Sequence, residues 1–573
     1  MVFLSYDIKG IQNIIFGIPR LKGIVGASGD VAELDRKFGA LHSPAEGVRR
    51  IFAAGGRGVF QVNDEQLDGL IKLIVSETNE KGFDVRIGVD EELDKATQNA
   101  DRLYPYLPSD MRGFPCTESG LLPAGSGRRV SQIFANRIKG AKKDELGKSI
   151  LDDPGLTFKT KVPCAAAFFK NVNPEYEQEE LANFLPNDYR NGLDEIARTA
   201  KRVLGGRNRW AIVALDGNDI GQLYDNLYDK YKQDQNLYAE KLEQTSQAIS
   251  TATRDSFLFA LNECLEFWYA RILDRNKQIC ICKDSDGNQQ FLLPFRPLIL
   301  GGDDVVLICH SALAIKFVET MSMKFTELAG RKENGPAFEL AKGKFLTMSA
   351  GVLFCKTSLP LHTAIPYAEQ LLANAKNQYR SNDPNQATPA AVDWETITDT
   401  MIDHPVARRN RELRFIDEEI NRAIHLTRRP YLLRPAEYDP GKQFERSSLE
   451  SLKGEGGVYS ILKELPNSFR AELGARMKSV WSERMRYLIS IAKDKRYELL
   501  SFSLRHSSDG GFKKDKCGFQ VEGTAWLAPQ TRNPFTGEWE PQTDDGKQIL
   551  STDVLDAILL LDEEHREKQG SRS

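Results

Sequence analysis

The chain has 573 residues, 41% of them hydrophobic and 28% charged, with a formal net charge of −4. That is a globular composition with length for three or four domains, and its weakly acidic balance excludes a global positive field that would gather nucleic acid. RNA or nucleotide binding is therefore expected to be local, metal-mediated or delegated to a partner.

The opening "MVFLSYDIKGIQ" lacks a basic leader, and Asp7 and Lys9 interrupt its apolar run. It does not read as a signal peptide. No stretch reaches the length of a membrane span, so a cytoplasmic protein with no membrane partner is expected. The first apolar run ends at Asp7, with Gly10 shortly after. Further on, "RRIFAAGGRGVFQV" (49–62) sets Gly55-Gly56 between two apolar runs, as a hairpin does. Next comes a Gly/Pro/Ser-rich loop, "FPCTESGLLPAGSGRR" (114–129), and a stretch at 131–205 that reads as mainly helical.

The eight cysteines form no CxxC, and Cys280 and Cys282, with one residue between them, are poorly spaced for a zinc knuckle. Scattered reduced thiols are expected, and no zinc. The seven histidines include no HExxH and no His-Asp doublet, so a nuclease built on such a pair has no visible seat.

In "RWAIVALDGNDIGQLYDNL" (209–227), the unbroken apolar run Trp210 to Leu215 predicts a strand buried on both faces. It ends at Asp216, either a ligand at a strand end or a cap of the following turn. Residues 241–273 read as a long helix with Phe257, Leu261, Cys264 and Trp268 on one stripe. The stretch "PLILGGDDVVLI" (297–308) places adjacent carboxylates between two apolar runs. Either it is a tight solvated hairpin, or Asp303 and Asp304 hold a cation. A core strand at 345–355 and a helix at 363–377 follow, the latter with Lys376 in its last turn. The order strand, helix, hairpin, strand, helix predicts an α+β sandwich with helices covering a sheet. After a linker-like 380–392, the chain from about 400 reads as helical and charged, opening with "VARRNRELRFIDEEINRAIHLTRRPYLLRP", either a salt-bridged face or a local RNA or partner surface. Residues 505–547 read as loops and 551–566 as a last amphipathic helix.

The strand ending in Asp7 followed by a Gly-Gly hairpin repeats, in the same order, as the strand ending in Asp216 followed by Gly301-Gly302. We read this as a diverged internal duplication. Arg57-Gly58 in the first hairpin is matched to Asp303-Asp304 in the second, so the first copy is expected to be structural or regulatory and the second to carry chemistry. If the strand ending at Asp216 lies beside the second hairpin, Asp216, Asp303 and Asp304 meet at one edge of the sheet. Carboxylates that close repel one another, and Mg²⁺ or Mn²⁺ relieves the repulsion. Two such ions can clamp the attacking and leaving oxygens of a phosphoryl transfer. Gly301 and Gly302 would let a triphosphate lie close to the backbone. Lys376 is either a point charge for the β/γ-phosphates or a lysine at a helix C-terminus.

These motifs resemble a family. The second copy is similar to the palm domain shared by nucleotide cyclases, diguanylate cyclases and polymerases. Its GGDD form resembles the polymerase/cyclase large subunit of type III CRISPR effector complexes. "YDIKGIQNIIFGIPRLKGIVGAS", "ALDGNDIGQL", "LTMSAGVLFCKTSLPLHTAIPYAEQLLANAKN" and "AAVDWETIT" support the likeness, which covers roughly 1–400. It implies two tandem ferredoxin-like palms: a degenerate, inactive first palm (1–113), an intervening loop and helical region with a degenerate zinc-knuckle position at Cys116 (114–207), a second palm with the GGDD site (208–400), and a mainly helical C-terminal domain (401–573). It implies a nucleotide second messenger, typically cyclic oligoadenylate, made from ATP in an RNA-activated antiviral complex of further subunits, guide RNA and target RNA. Asp216, Asp303 and Asp304 would hold two metal ions, while Gly301, Gly302, Asn218, Ser349, Lys376 and, more weakly, Ser256 would lie at the nucleotide. Asn218 departs from the family, which usually has a second Asp there. The first palm begins at residue 1, so no N-terminal His-Asp nuclease domain, and no DNA cleavage, is expected. The competing readings are a stand-alone antiphage cyclase without guide RNA and a non-catalytic scaffold subunit.

Overall fold

A computed structural model describes residues 1–8, 11–16, 21–102, 145–158, 209–274, 289–330, 346–380, 387–397 and 403–417, together with shorter pieces at 137, 183–184, 281–283, 422–425, 427–433, 448–453 and 459 and between 526 and 560. The expected loop at 114–129, with Cys116, and most of the expected helical stretch at 131–205 lie outside the described residues.

The first unit runs β1 (Val2–Ile8), α1 (Ile11–Phe16), α2 (Leu21–Gly39), β2 (Val48–Ala54), β3 (Arg57–Val62), α3 (Asp64–Glu80), β4 (Val85–Asp90) and α4 (Leu93–Arg102). Its sheet has the order β2-β3-β1-β4, all antiparallel. Short pieces α5 (Glu145–Leu151) and β5 (Asn183–Phe184) follow.

The second unit runs β6 (Trp210–Gly217), α6 (Ile220–Tyr231), α7 (Gln235–Asp274), β7 (Ile281–Lys283), β8 (Gln289–Leu293), β9 (Phe295–Gly301), β10 (Asp304–His310), α8 (Ser311–Ala329), β11 (Met348–Cys355), α9 (Leu361–Tyr379) and β12 (Ala391–Ile397). The apolar run of β6 is buried on both faces, because alternate residues point oppositely from a strand. Ala211, Val213 and Leu215 pack into a core with α7 and α8. Trp210, Ile212 and Ala214 pack into a second core that holds α9 residues such as Leu371, and Leu4, Ile24 and Phe60 of the first unit. The two units thus share apolar packing. Ser28 Oγ donates to the Leu298 carbonyl across the seam, and Gln61 Nε2 donates to Asn236 Oδ1 at 2.9 Å.

The second sheet contains the order β9-β10-β6-β11, the first sheet's β2-β3-β1-β4 strand for strand, extended by β12 and by a short strand at Tyr431–Leu432. Gly88 of β4 lies opposite Ser5, and Gly351 of β11 lies opposite Ala214. Each sits under the helix that follows it: a Cβ on Gly88 would come 2.0 Å from Ala96 O, and one on Gly351 2.1 Å from Ala368 O. The two units are an α+β pair of palm-like, ferredoxin-like sheets built to one plan.

The reading of the C-terminal region as mainly helical is corrected for its described residues. After α10 (Pro405–Glu412) come β13 (Arg414–Asp417), β14 (Arg422–His425), β15 (Tyr431–Leu432), the short α11 (Leu449–Lys453), β16 (Trp526–Leu527), β17 (Gln530–Arg532), β18 (Trp539–Pro541), β19 (Thr543–Asp544) and β20 (Lys547–Thr552). The charged run expected to be one helix folds after residue 412 into a hairpin, and β14 pairs with β20 more than a hundred residues onward. Phe415, Ile416 and Ile424 suit a strand, and pairing so distant in sequence leaves no local periodicity to read. The expected helix at 551–566 begins as the end of β20. This region is fastened to β12 by buried ion pairs. Arg409 Nη1 donates to Asp393 Oδ2 at 2.8 Å, and Arg429 Nη1 donates to Glu395 Oε1 at 3.2 Å. Among the described residues no helix is long and apolar enough to cross a membrane.

Candidate active site

Strand β6 delivers Asp216 at its C-terminal end, next to the β9–β10 turn. Register fixes this: Val305 pairs with Leu215, so the turn residues Gly302 and Asp303 lie just beyond Asp216's end of the ladder. Gly302 has φ +61°, a value that favours glycine. Gly217 is required for a different reason. A Cβ there would stand 2.9 Å from Asp303 Oδ2 and 2.6 Å from Ile220 Cγ1. The missing side chain lets Asp303 reach the strand end.

Asp303 is driven up to about 7, first by burial and then by the neighbouring Asp216 carboxylate, with which it shares a hydrogen bond. The Asp216 side chain is 37% exposed. Lys376, in the last turn of α9, donates from Nζ to Asp216 Oδ2 and to the Gly217 carbonyl, the latter at 2.7 Å. An ammonium therefore sits between a carboxylate and a backbone carbonyl, a place that favours a cation. Asp304 lines the cavity between the two units, with Asp7, Asp35, Arg57 and Gly301. That cavity holds about 420 Å³.

Two of the three carboxylates are thus in contact, and the third opens onto the seam. Among the described residues no group of three or more His, Cys, Asp or Glu side chains is arranged to hold a metal by itself. The donors present, carboxylates and a carbonyl, are hard oxygens of the kind Mg²⁺ and Mn²⁺ take. The ammonium already drawn to them and the repulsion between Asp216 and Asp303 both fit a divalent ion there.

The remaining sequence candidates are placed as follows. Gly301 borders the cavity. Asn218 is 2% exposed and does not face the cavity. Its Nδ2 donates to Thr347 Oγ1 (2.7 Å), Ser349 Oγ (2.9 Å) and Pro389 O (3.2 Å). Ser349 lies opposite Asp216 but is fully buried, and its Oγ also accepts from Ala391 N at 3.2 Å. Ser256 is fully buried in α7 and donates to Thr253 O of its own helix at 2.9 Å. The structure does not bring these three hydroxyl and amide groups to an open surface.

The same frame in the first unit carries different residues at its strand end. The ladder shifts the sequence match by one residue. Tyr6 pairs with Gly58 as Leu215 pairs with Val305, so Arg57 stands at the place of Asp304 and Gly56 at that of Asp303. Matching Gly-Gly to Gly-Gly missed this because the turns differ. Gly55 and Gly56 both have positive φ, whereas Asp303 does not. Gly56 has φ +76°, where an L-residue is strained, and a Cβ there would also have to displace Ile11 Cδ1 from 2.0 Å, so the position disfavours an aspartate. Asp7 is neutralised by Arg57, whose Nε donates to Oδ1 at 2.9 Å. Asp35, pushed up to about 6 by burial, accepts from the N–H groups of Gly55 and Gly56. Asp35 was not singled out from the sequence, and neither was Asp219, because helix charge patterns and turn residues of this kind are common.

Residues 209–383 match the family model for Cas10/Cmr2, second palm domain. No curated protein matches. Among solved structures, the chain is similar to a Csm1-Csm4 cassette in complex with AMPPNP, at 13% identity and TM-score 0.35, over 66% of this chain and 53% of that one. It is similar to the cassette in complex with cA4 at 12% identity and TM-score 0.32, over 66% and 53% of the two chains. For the apo cassette the figures are 14% and 0.35, over 86% and 65%. The chain thus spans about half the length of the first of these structures.

Proposed function

We propose, from the premise that residues 209–383 are a second palm domain of the Cas10/Cmr2 family, that this chain is a metal-dependent nucleotidyltransferase. Its product is a nucleotide second messenger made from ATP, cyclic oligoadenylate or a related AMP-containing molecule. The observation that carries this is the contrast between the two copies. The first closes its strand end with the Asp7–Arg57 ion pair, and the second keeps Asp216 against a buried Asp303. Repelling carboxylates serve no fold that the first copy achieves without them.

Asp216 and Asp303, with Asp304 next along the same turn, would hold the metal ions, which would neutralise phosphate charge and activate the attacking oxygen. Gly301 and Gly302 leave the backbone of the turn uncovered for a triphosphate. Lys376 is poised to exchange its contacts with Asp216 and Gly217 for phosphate oxygens. The cavity against the first unit is of the size that accommodates a small ligand. We further place the chain in a cytoplasmic type III effector complex, with other subunits and guide RNA as partners and target RNA as activator.

The test is incubation with ATP and Mg²⁺ or Mn²⁺, with and without guide and target RNA, read by mass spectrometry. Product is expected from the native chain and none from Asp303→Ala with Asp304→Ala. Equal product from a folded double variant would overturn the site.

A further inference from the structure

Asp219 is the only non-glycine residue with positive φ among the described residues (φ 59°, ψ 16°). L-residues enter this region at a cost of roughly 1 kcal/mol or more, and glycine enters it freely. Counting from the strand-end aspartates, the first copy has glycine at the matching place: Gly10 follows Asp7 by three, as Asp219 follows Asp216. The second copy therefore keeps an aspartate where its backbone favours glycine.

The ordinary reason for an aspartate here is absent. Asp219 is the N-cap residue of α6, yet its side chain makes no capping hydrogen bond. The carboxylate turns away to Thr388, just before β12. It accepts from Thr388 N at 2.8 Å and from Thr388 Oγ1 at 2.9 Å. The Thr388 carbonyl accepts in turn from Thr347 Oγ1 at 2.6 Å, and Thr347 Oγ1 accepts from Asn218 Nδ2. The peptide joining Asn218 to Asp219 closes a ring of four residues. The Asn218 N–H also donates to Thr347 O at 2.8 Å. This ring grips the two residues immediately after Asp216 and Gly217, whose carboxylate and carbonyl face the cation position.

We propose that Asp219 and Thr388 are positioning residues of the candidate metal site. Their pairing holds the β6–α6 turn so that Asp216 and the Gly217 carbonyl keep one fixed aim, and the strained backbone at Asp219 is retained for that purpose. The proposal rests on the reading of Asp216 as a metal ligand.

The test measures Mn²⁺ affinity of the full nucleotide-free chain by titration, alongside its urea midpoint. Asp219→Gly relieves the backbone and deletes the anchor, Thr388→Val deletes only the hydroxyl, and Asp219→Asn keeps an acceptor for the Thr388 N–H and a donor for its oxygen. Folded Asp219→Gly and Thr388→Val are expected to bind Mn²⁺ about tenfold more weakly or worse, with Asp219→Asn within about threefold of wild type on the same reasoning. Wild-type affinity in folded Asp219→Gly would overturn the proposal, as would a wild-type chain that binds no Mn²⁺. Should Asp219→Gly fail to fold, Thr388→Val decides by the same criterion. If wild type yields no product from ATP while the variants still lose Mn²⁺, the positioning role stands and the nucleotidyltransferase reading falls.

Discussion

Replacing Gly351 by alanine tests whether the fit of α9 on β11 sets the site. The new Cβ would lie 2.1 Å from Ala368 O and 2.4 Å from Leu372 N, both backbone atoms of α9. Ordinary contact begins near 3.4 Å, so the helix must retreat by about 1.3 Å. Overpacking of this kind costs about 1–3 kcal/mol. Lys376 rides on the same helix. Its 2.7 Å hydrogen bond to the Gly217 carbonyl would stretch to about 4 Å, beyond hydrogen-bond range. Gly88→Ala is the matched control. Its Cβ meets Ala96 O at 2.0 Å and Ala100 N at 2.4 Å in the first unit, with a comparable steric cost and no contact to Asp216 or Gly217 to displace. Both variants should lower the urea midpoint comparably, and Gly351→Ala alone should strongly depress product formation from ATP. A wild-type urea midpoint in Gly351→Ala would refute the steric reasoning. Equal loss of product in both variants would refute the link through Lys376.

Asn218→Asp should destabilise the chain by about 3 kcal/mol or more, because a buried carboxylate cannot donate to Pro389 O or to the Thr347 oxygen. Asn218→Ala should cost about 1–3 kcal/mol. Urea titration reads both, and an Asn218→Asp chain as stable as wild type would remove the structural role assigned to this residue. Asp303 supplies a pH dependence. Its folded value of about 7 lies above the ordinary carboxylate value of 3.8, so the folded state holds a proton the unfolded state has released. Its contribution to stability therefore falls as pH rises from about 4 to 7 and is flat beyond. Mn²⁺ competes with that proton, so Mn²⁺ affinity should rise through this window and level off above pH 7 or so. The rise should vanish in Asp303→Asn, and calorimetry in buffers of different ionisation enthalpy would register the released proton.

Much of the second unit was legible because its core is written in runs. Trp210 to Leu215 could only be a strand buried on both sides, and the stripe through Phe257, Leu261, Cys264 and Trp268 falls within the observed α7. The duplication was visible from two strand-end aspartates and two Gly-Gly turns, although counting glycines misplaced the match by one. The β13–β14 hairpin was read as part of a charged helical stretch, because its strand partner β20 lies far along the chain.

The sequence by itself determined which groups could meet: Asp216 at a strand end, Asp303 and Asp304 at a turn, Lys376 at the end of a helix. Local pattern suffices for that, since strand and turn boundaries follow from residue types a few positions apart. Tertiary structure decided how those groups are used. It turned Asp303 toward Asp216 and Asp304 toward the first unit. It buried Asn218 and Ser349 and bound them to Thr347 and Ala391. It also tied Asp219 to Thr388, 169 residues away. Contacts at such separation are fixed by strand register and by the seating of helices on the sheet, which no short window of sequence contains.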